Sequence, residues 1–139
     1  MTRGRRARYV LTARAAADLR EARVWSLARW GRELTSRYFD DLHSGAQFVA
    51  ENHGALRQRQ ELSGSAALLV YPVREHYLVY VPLGERLIAV VAVIRQGRDI
   101  PAILQKWSAL IRRELIEIRA RIERGEIALP GAAKSRRRK

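Results

Sequence analysis

The spacing of apolar residues changes twice along the chain. Residues 8–12, Arg-Tyr-Val-Leu-Thr, form a short run of strand character, and Thr12 is suited to cap a helix behind it. From about 13 to 30, Ala15, Ala16, Leu19, Ala22, Leu27 and Trp30 recur at helical spacing, with Asp18 and Glu21 near the positive end of the helix dipole. Gly31 interrupts the pattern. A second helical run follows, with Leu34, Tyr38, Leu42 and Val49 on one stripe beside Phe39 and Phe48, and it ends near Asn52 to Gly54. Two helices joined at a glycine predict a helical hairpin.

Beyond Leu62 the period shortens. Ala67 to Tyr71, Tyr77 to Val81 and Leu87 to Ile94 are rich in Val, Ile, Leu and Tyr and are separated by turn-forming residues, which predicts three strands in an antiparallel meander. The third, Leu-Ile-Ala-Val-Val-Ala-Val-Ile, is apolar at every position, the mark of a central strand covered on both faces. After a polar turn from Arg95 to Asp99, Pro101 suits the first turn of another helix. There Leu104, Trp107, Ile111, Leu115, Ile118 and Ile122 make a narrow apolar seam, and Gly125 ends it. Arg113 with Glu117, Glu117 with Arg121 and Arg119 with Glu123 are i,i+4 pairs worth about 0.2–0.5 kcal/mol each on a solvated face. The seam is open to three roles: folding back on the sheet, extending a partner groove, or pairing with another copy. The element order β, α, α, β, β, β, α gives an α+β fold. It comprises an N-terminal strand, a helical hairpin on one side of a four-stranded, largely antiparallel sheet, and an extended C-terminal helix.

Composition adds one unusual feature. With 139 residues, 47% hydrophobic and 29% charged, the chain is expected to form one globular domain. Its net charge of +13 points towards nucleic acid, an acidic protein or an anionic surface. That charge is concentrated at the ends. Arg3, Arg5, Arg6 and Arg8 together with Lys134, Arg136, Arg137, Arg138 and Lys139 leave the body between them only mildly basic, near +4. The expected organisation is a basic N-terminal arm (1–8), a folded domain (9–100), a C-terminal helix (101–125) and a disordered basic tail (126–139). The absence of cysteine excludes disulfides, thiolate metal sites and thiol nucleophiles. No apolar run approaches the ~18 residues of a membrane span, so a soluble, cytoplasmic protein without membrane contact is expected.

Signatures of nucleotide, dinucleotide, zinc-protease and serine-hydrolase sites are all missing. No cofactor and no metal are expected; His43 and His53, ten residues apart, lack metal-ligand spacing and read as surface residues. His76, beside Arg74 and with Arg95 and Arg98 further on, has two readings. It is a general acid or base among cations that would stabilise an anionic transition state, or a strand-end histidine bonded to backbone. Arg95 and Arg98 follow the most apolar strand directly, where they either grip phosphate or carboxylate or merely solvate a turn; Asp99 is read as a helix cap. Trp25, Trp30 and Trp107 lie within helical apolar patterns and read as packing residues before stacking platforms for bases. The basic ends can bind nucleic acid by counterion release without reading sequence, or remain solubilising tails.

Several of these residues resemble a known family. Tyr9-Val10-Leu11-Thr12, Ala15, Asp18-Leu19, Trp30-Gly31, Tyr38 and Leu42 are similar to the opening strand and hairpin of the RelE/ParE toxin superfamily. Tyr71-Pro72-Val73, Glu75-His76-Tyr77-Leu78-Val79-Tyr80 and Val93-Ile94-Arg95-Gln96-Gly97-Arg98-Asp99-Ile100 resemble its ParE-like branch. The similarity spans about residues 9–104. It implies the toxin of a type II toxin-antitoxin module, of the kind tied to plasmid stabilisation and neutralised by an acidic antitoxin. ParE-type toxins poison DNA gyrase, whereas RelE-type toxins are ribosome-dependent endoribonucleases that cut messenger RNA. Where ParE-like sequences often carry arginine before Tyr-Pro-Val, this chain has Ala67, Leu68 and Leu69, a strand with no ionisable side chain. No Tyr or His follows Ile94 either, so the resemblance favours the gyrase inhibitor over the enzyme. If the chain were a nuclease, Arg74, His76, Arg95 and Arg98 would carry the chemistry. Otherwise Arg95, Arg98 and Trp107 are the target-binding candidates. Trp30, Tyr38, Leu42, Leu104 and Ile111 are the antitoxin-binding candidates, and a homodimer or a higher toxin-antitoxin complex is expected. A third reading is a non-enzymatic nucleic-acid-binding module acting through the arginine-rich ends.

Overall fold

A computed structural model describes residues 7–56 and 67–127, so the basic arm up to Arg6 and the tail beyond Ile127 lie outside the described residues. Strand β1 is Arg8–Leu11, helix α1 Ala13–Asn52, and a 3-10 turn His53–Ala55 follows. Strands β2 (Leu69–Val73), β3 (His76–Gly84) and β4 (Leu87–Arg95) lead into α2 (Ile100–Lys106) and α3 (Ser108–Glu123). The four strands form one sheet in the order β1-β4-β3-β2, with β1 parallel to β4 and the other pairs antiparallel. The fold is of the mixed α+β class.

Helix α1 is broken into two arms by a kink at Gly31, whose φ of 86° and ψ of −179° belong to a region open essentially to glycine alone. The guanidinium of Arg23 lies 5.3 Å from the ring of Phe39, sixteen positions later. On a straight helix those positions would be about 24 Å apart. The arms therefore fold against each other as a hairpin. Tyr38, Leu42 and Val49 enter the core as the stripe predicts, but Leu34 is 49% exposed, and its neighbour Thr35 takes the inward place. The buried line runs Thr35, Tyr38 and Phe39, Leu42, Ala46, Val49 and Ala50, one position away from Leu34. Phe48 likewise stays outside, against Tyr71 of β2. At Gly45 an added Cβ would stand 2.5 Å from Val73 Cγ2, so the second arm reaches β2 only because a side chain is missing there.

Every residue of β4 from Leu87 to Ile94 is buried, as expected of a central strand. One residue, Val91, is left without a partner where the β3 register passes from Val79↔Ala92 to Tyr80↔Val90. This bulge shifts the alternation. Ile88, Val90 and Val93 face the hairpin, while Leu87, Ala89, Val91, Ala92 and Ile94 belong to a second core on the other side of the sheet. Ile100, Leu104, Ile111 and Ile118 close that second core. Of the three roles open to the apolar seam, intramolecular packing is the one seen. The helix expected over 101–125 is interrupted at Trp107 (φ −101°, ψ 11°), although Trp107 N–H still bonds to Ile103 O and Ile111 N–H to Trp107 O. Trp107 turns its ring to the guanidinium of Arg14, 4.3 Å away.

The start of α1 is tied to the bulge. Thr12 Oγ1 accepts the Ala15 amide at 3.1 Å, as a helix cap does, while its hydroxyl faces the carbonyls of Val90 and Val91 at 3.4 and 3.3 Å. Strand β1 ends at Leu11, opposite Val90, so β4 continues without a strand neighbour on that side. Asp18 takes over: its Oδ2 accepts the Val93 amide at 2.9 Å and its Oδ1 meets Arg14 at 2.6 Å. Burial raises the Asp18 pKa, and the Val93 amide and the Arg14 charge pull it back.

Three substitutions, one of them a control, test these constraints by urea unfolding. Gly31→Ala is expected to cost about 1–3 kcal/mol, because the strain resides in φ and not in crowding. Gly54→Ala, equally uncrowded and without a positive φ, is expected to stay within about 0.5 kcal/mol. Asp18→Ala leaves the buried Val93 amide without its acceptor and is expected to cost about 1–3 kcal/mol. Its shortfall below 0.5 kcal/mol would show that the bond contributes little.

Candidate functional site

Where β4 ends, three elements converge. Arg95 closes the strand directly opposite His76 on β3, and the turn that follows carries Arg98 and passes through Gly97 at φ 94°. Asp99 then caps α2 by accepting the Ala102 amide at 3.2 Å, as expected. The first arm of α1 supplies the facing wall. Between them lie two adjoining hollows of about 290 and 310 Å³, which share Asp18, Glu21, Val93, Arg95 and Arg98. One opens towards Trp107 and Lys106, the other towards Trp25 and His76. Arg95, Arg98 and Trp107, the target-binding candidates, thus line one cleft.

Two guanidinium groups at the Trp25 end of this cleft lie against an aromatic ring and not against a carboxylate. Trp25 has the guanidinium of Arg95 4.6 Å from its centroid and that of Arg29 at 4.8 Å. Its ring meets Trp30 edge-on at 5.3 Å, and Trp30 packs 5.3 Å from Tyr38. Among the described residues, Arg29, Arg95 and Arg98 take part in no ion pair, whereas Arg14 is bound to Asp18 and Arg74 to Asp41 at 3.3 Å. Unpaired guanidinium groups lying on a ring, as those of Arg29 and Arg95 do, are available to an incoming anion. Trp25 and Arg29 stand at i and i+4 on one helix, and that spacing is the sequence signal that places them side by side.

His76 is 4% exposed, and its Nδ1 contacts the Tyr38 hydroxyl. That hydroxyl also accepts the Glu75 amide at 3.2 Å, and in the tautomer where its own hydrogen goes to Nδ1 the imidazole hydrogen stands on Nε2. Burial lowers the His76 pKa, the Arg95 charge lowers it further, and Glu75 opposes both. Burial also raises the pKa of Tyr38. The backbone carbonyl of His76 is held by Gln96 Nε2 at 3.3 Å, which also bonds to Arg74 O at 2.9 Å.

Of the four residues a nuclease would use, His76, Arg95 and Arg98 share a hollow. Arg74 does not. It sits in the β2–β3 turn at φ 55°, with its guanidinium 5.4 Å from the Tyr38 ring and directed to Asp41. Among the antitoxin-binding candidates, Tyr38 and Leu42 are 2% exposed and Leu104 and Ile111 3%, so their side chains are spent on the two cores and offer no surface. Their apolar spacing is that of core residues, which the sheet and its two helical layers consume. Trp30 remains half-buried. His43 is exposed and bonded through Nδ1 to Tyr9 Oη at 2.5 Å, and His53 Nε2 meets Gly84 O at 2.8 Å. No cluster of three metal-ligating groups occurs among the described residues, and no described helix is long and apolar enough to cross a membrane.

The depressed His76 pKa has a defined effect on stability. Below the ordinary value of 6.5 the unfolded chain takes up a proton that the fold resists, so stability falls as pH drops through 6.5 and levels off below the folded value. The urea midpoint is therefore expected to decline on acidification from pH 7.5 to 5.5, and to decline less in His76→Gln. An identical slope in both proteins would remove His76 as the cause.

The family model described as "ParE toxin of type II toxin-antitoxin system, parDE" matches residues 9–100. A curated relative, Toxin ParE of Escherichia coli, is 30% identical over 92 residues, which is 66% of this chain and 87% of the relative. Among solved structures, a chain of the chromosomal ParDE TA system from P. aeruginosa shares the fold with a TM-score of 0.56 at 15% identity, over 66% of this chain and 97% of that one. The matched segment carries β1, the hairpin, the meander and the Arg95–Arg98 turn in the order observed, and the chain belongs to the ParE toxin family of type II toxin-antitoxin systems.

Proposed function

We propose that this chain acts in the cytoplasm as a toxin that inhibits DNA gyrase or a related topoisomerase, and that a cognate acidic antitoxin holds it inactive. The observation that carries the reading is the pair of unpaired guanidinium groups, Arg95 and Arg98, lining one cleft of a ParE-family fold, with Arg29 beside them across Trp25. A DNA-bound enzyme and an acidic antitoxin both present anions to such a surface. Trp30, flanking the cleft cations through Trp25, is the antitoxin-contact candidate that keeps side-chain surface.

A second reading, a ribosome-dependent endoribonuclease, is favoured by one observation: His76 lines the same hollow as Arg95 and Arg98. A proton-transferring group beside cations is what cleavage through a 2′-hydroxyl requires.

Induction in a host lacking the antitoxin separates the two. DNA-damage signalling with intact messages is the expected outcome, and cleaved messages without DNA breaks would overturn the topoisomerase reading. Arg95→Ala with Arg98→Ala is expected to relieve growth arrest while the thermal transition is retained. Full toxicity of that double variant would show that the target is met elsewhere.

A further inference from the structure

We propose that the hollow between the first arm of α1, the end of β4 and the 96–99 turn is a phosphate-binding site, in which His76 Nε2–H and the guanidinium groups of Arg95 and Arg98 hold one phosphate group. The inference concerns ligand chemistry alone and stands whether or not the target is a topoisomerase.

Three donors of different origin line this hollow. His76 comes from β3, Arg95 from the end of β4 and Arg98 from the turn. The imidazole is almost wholly buried, and its other polar positions are committed: Nδ1 to Tyr38, the backbone carbonyl to Gln96. Nε2 alone has no hydrogen-bond partner among the described residues, and the hollow is the space this residue borders. An oxyanion in the hollow offers Nε2–H an acceptor beside two guanidinium groups.

Arg95 lies over the Trp25 ring, and among the described residues neither Arg95 nor Arg98 has a carboxylate partner. Of the two acids on the wall, Asp18 is already neutralised by Arg14 and the Val93 amide, and Glu21 is exposed. The charged and titratable groups around His76 are Asp18, Glu21 and Tyr38 from α1, Glu75 beside it, and Arg95 and Arg98 opposite. Donors converging from three elements suit a tetrahedral oxyanion with several acceptor oxygens better than a flat carboxylate, which one arginine fork satisfies. The hollow continues on one side towards Arg29 and on the other towards Lys106 and Trp107, so a row of phosphates can pass through it. A nucleic-acid backbone and a free phosphate share this chemistry.

The test follows the His76 imidazole by NMR in the full-length protein during titration with inorganic phosphate, with a single-stranded thymidine octanucleotide, and with a poly-glutamate peptide. A saturable shift of the His76 signal, with His43 and His53 unmoved, is expected, and Arg98→Ala is expected to weaken affinity about tenfold or more. Because Arg98 lies on an exposed turn, that variant is expected to leave the fold intact. A response to both phosphate and oligonucleotide supports a site for free phosphate. A response to the oligonucleotide alone supports a backbone site. An unmoved His76 signal, unchanged affinity in Arg98→Ala, or poly-glutamate binding as tightly as the octanucleotide would overturn the proposal.

Discussion

The carboxylate of Asp18 accepts the Val93 amide where β1 has run out, and the rest of the molecule is arranged around that bond. A central strand needs partners on both edges, and the four residues of β1 serve only the first half of β4. The helix completes the second half with a side chain instead of backbone. To do so, α1 must begin immediately after β1 and lie along β4, and Thr12 fixes its start by bonding at once to the helix amide and towards the carbonyls of the bulge. Arg14 then makes the buried charge tolerable. The same arm carries Glu21 and Trp25 past the strand end, so the wall of the cleft follows from the repair of a sheet edge.

The bulge at Val91 has a comparable reach. Without it, the alternation along β4 would run unbroken, and Val93 and Arg95 would exchange faces with Ile94. With it, the Val93 amide meets Asp18 and Arg95 comes opposite His76, beneath the indole of Trp25. Strand register, helix entry and cation placement are thus coupled. A disturbance at the bulge is felt in the cleft although no cleft side chain has changed.

Much of this was legible from residue spacing. The unbroken apolar run of β4 announces burial on both faces, Thr12 and Asp99 announce their helices, and Gly31 announces the bend, because each depends on local chemistry. The seam of α3 shows its period as well, but only the sheet reveals what covers it. The inward side of the second arm lies one position from the stripe that spacing predicts, since Leu34 is more apolar than Thr35 and local hydrophobicity cannot report the rotation of a helix about its axis. Tyr38 and Leu42 read as partner contacts for the same reason: apolar spacing is identical for a core and an interface. The Tyr38–His76 and Asp18–Val93 contacts join residues 38 and 75 positions apart, and no spacing rule spans such separations. Arg95 and Arg98 were visible as cations but not as unpaired ones, because pairing is a property of the folded surface.

The sheet is a partition with a dry compartment on each side, and the two compartments have different owners. The hairpin, within the family-matched segment, seals one; residues from Ile100 onward seal the other. A boundary drawn at residue 100 by similarity therefore cuts through a core, stripping the cover from Val70, Val79, Val91 and Ile94. For this chain the unit that recurs among relatives and the unit that excludes water are not the same length. Exchanging the matched segment alone for that of a relative would transplant the sheet and hairpin without the floor on which they rest.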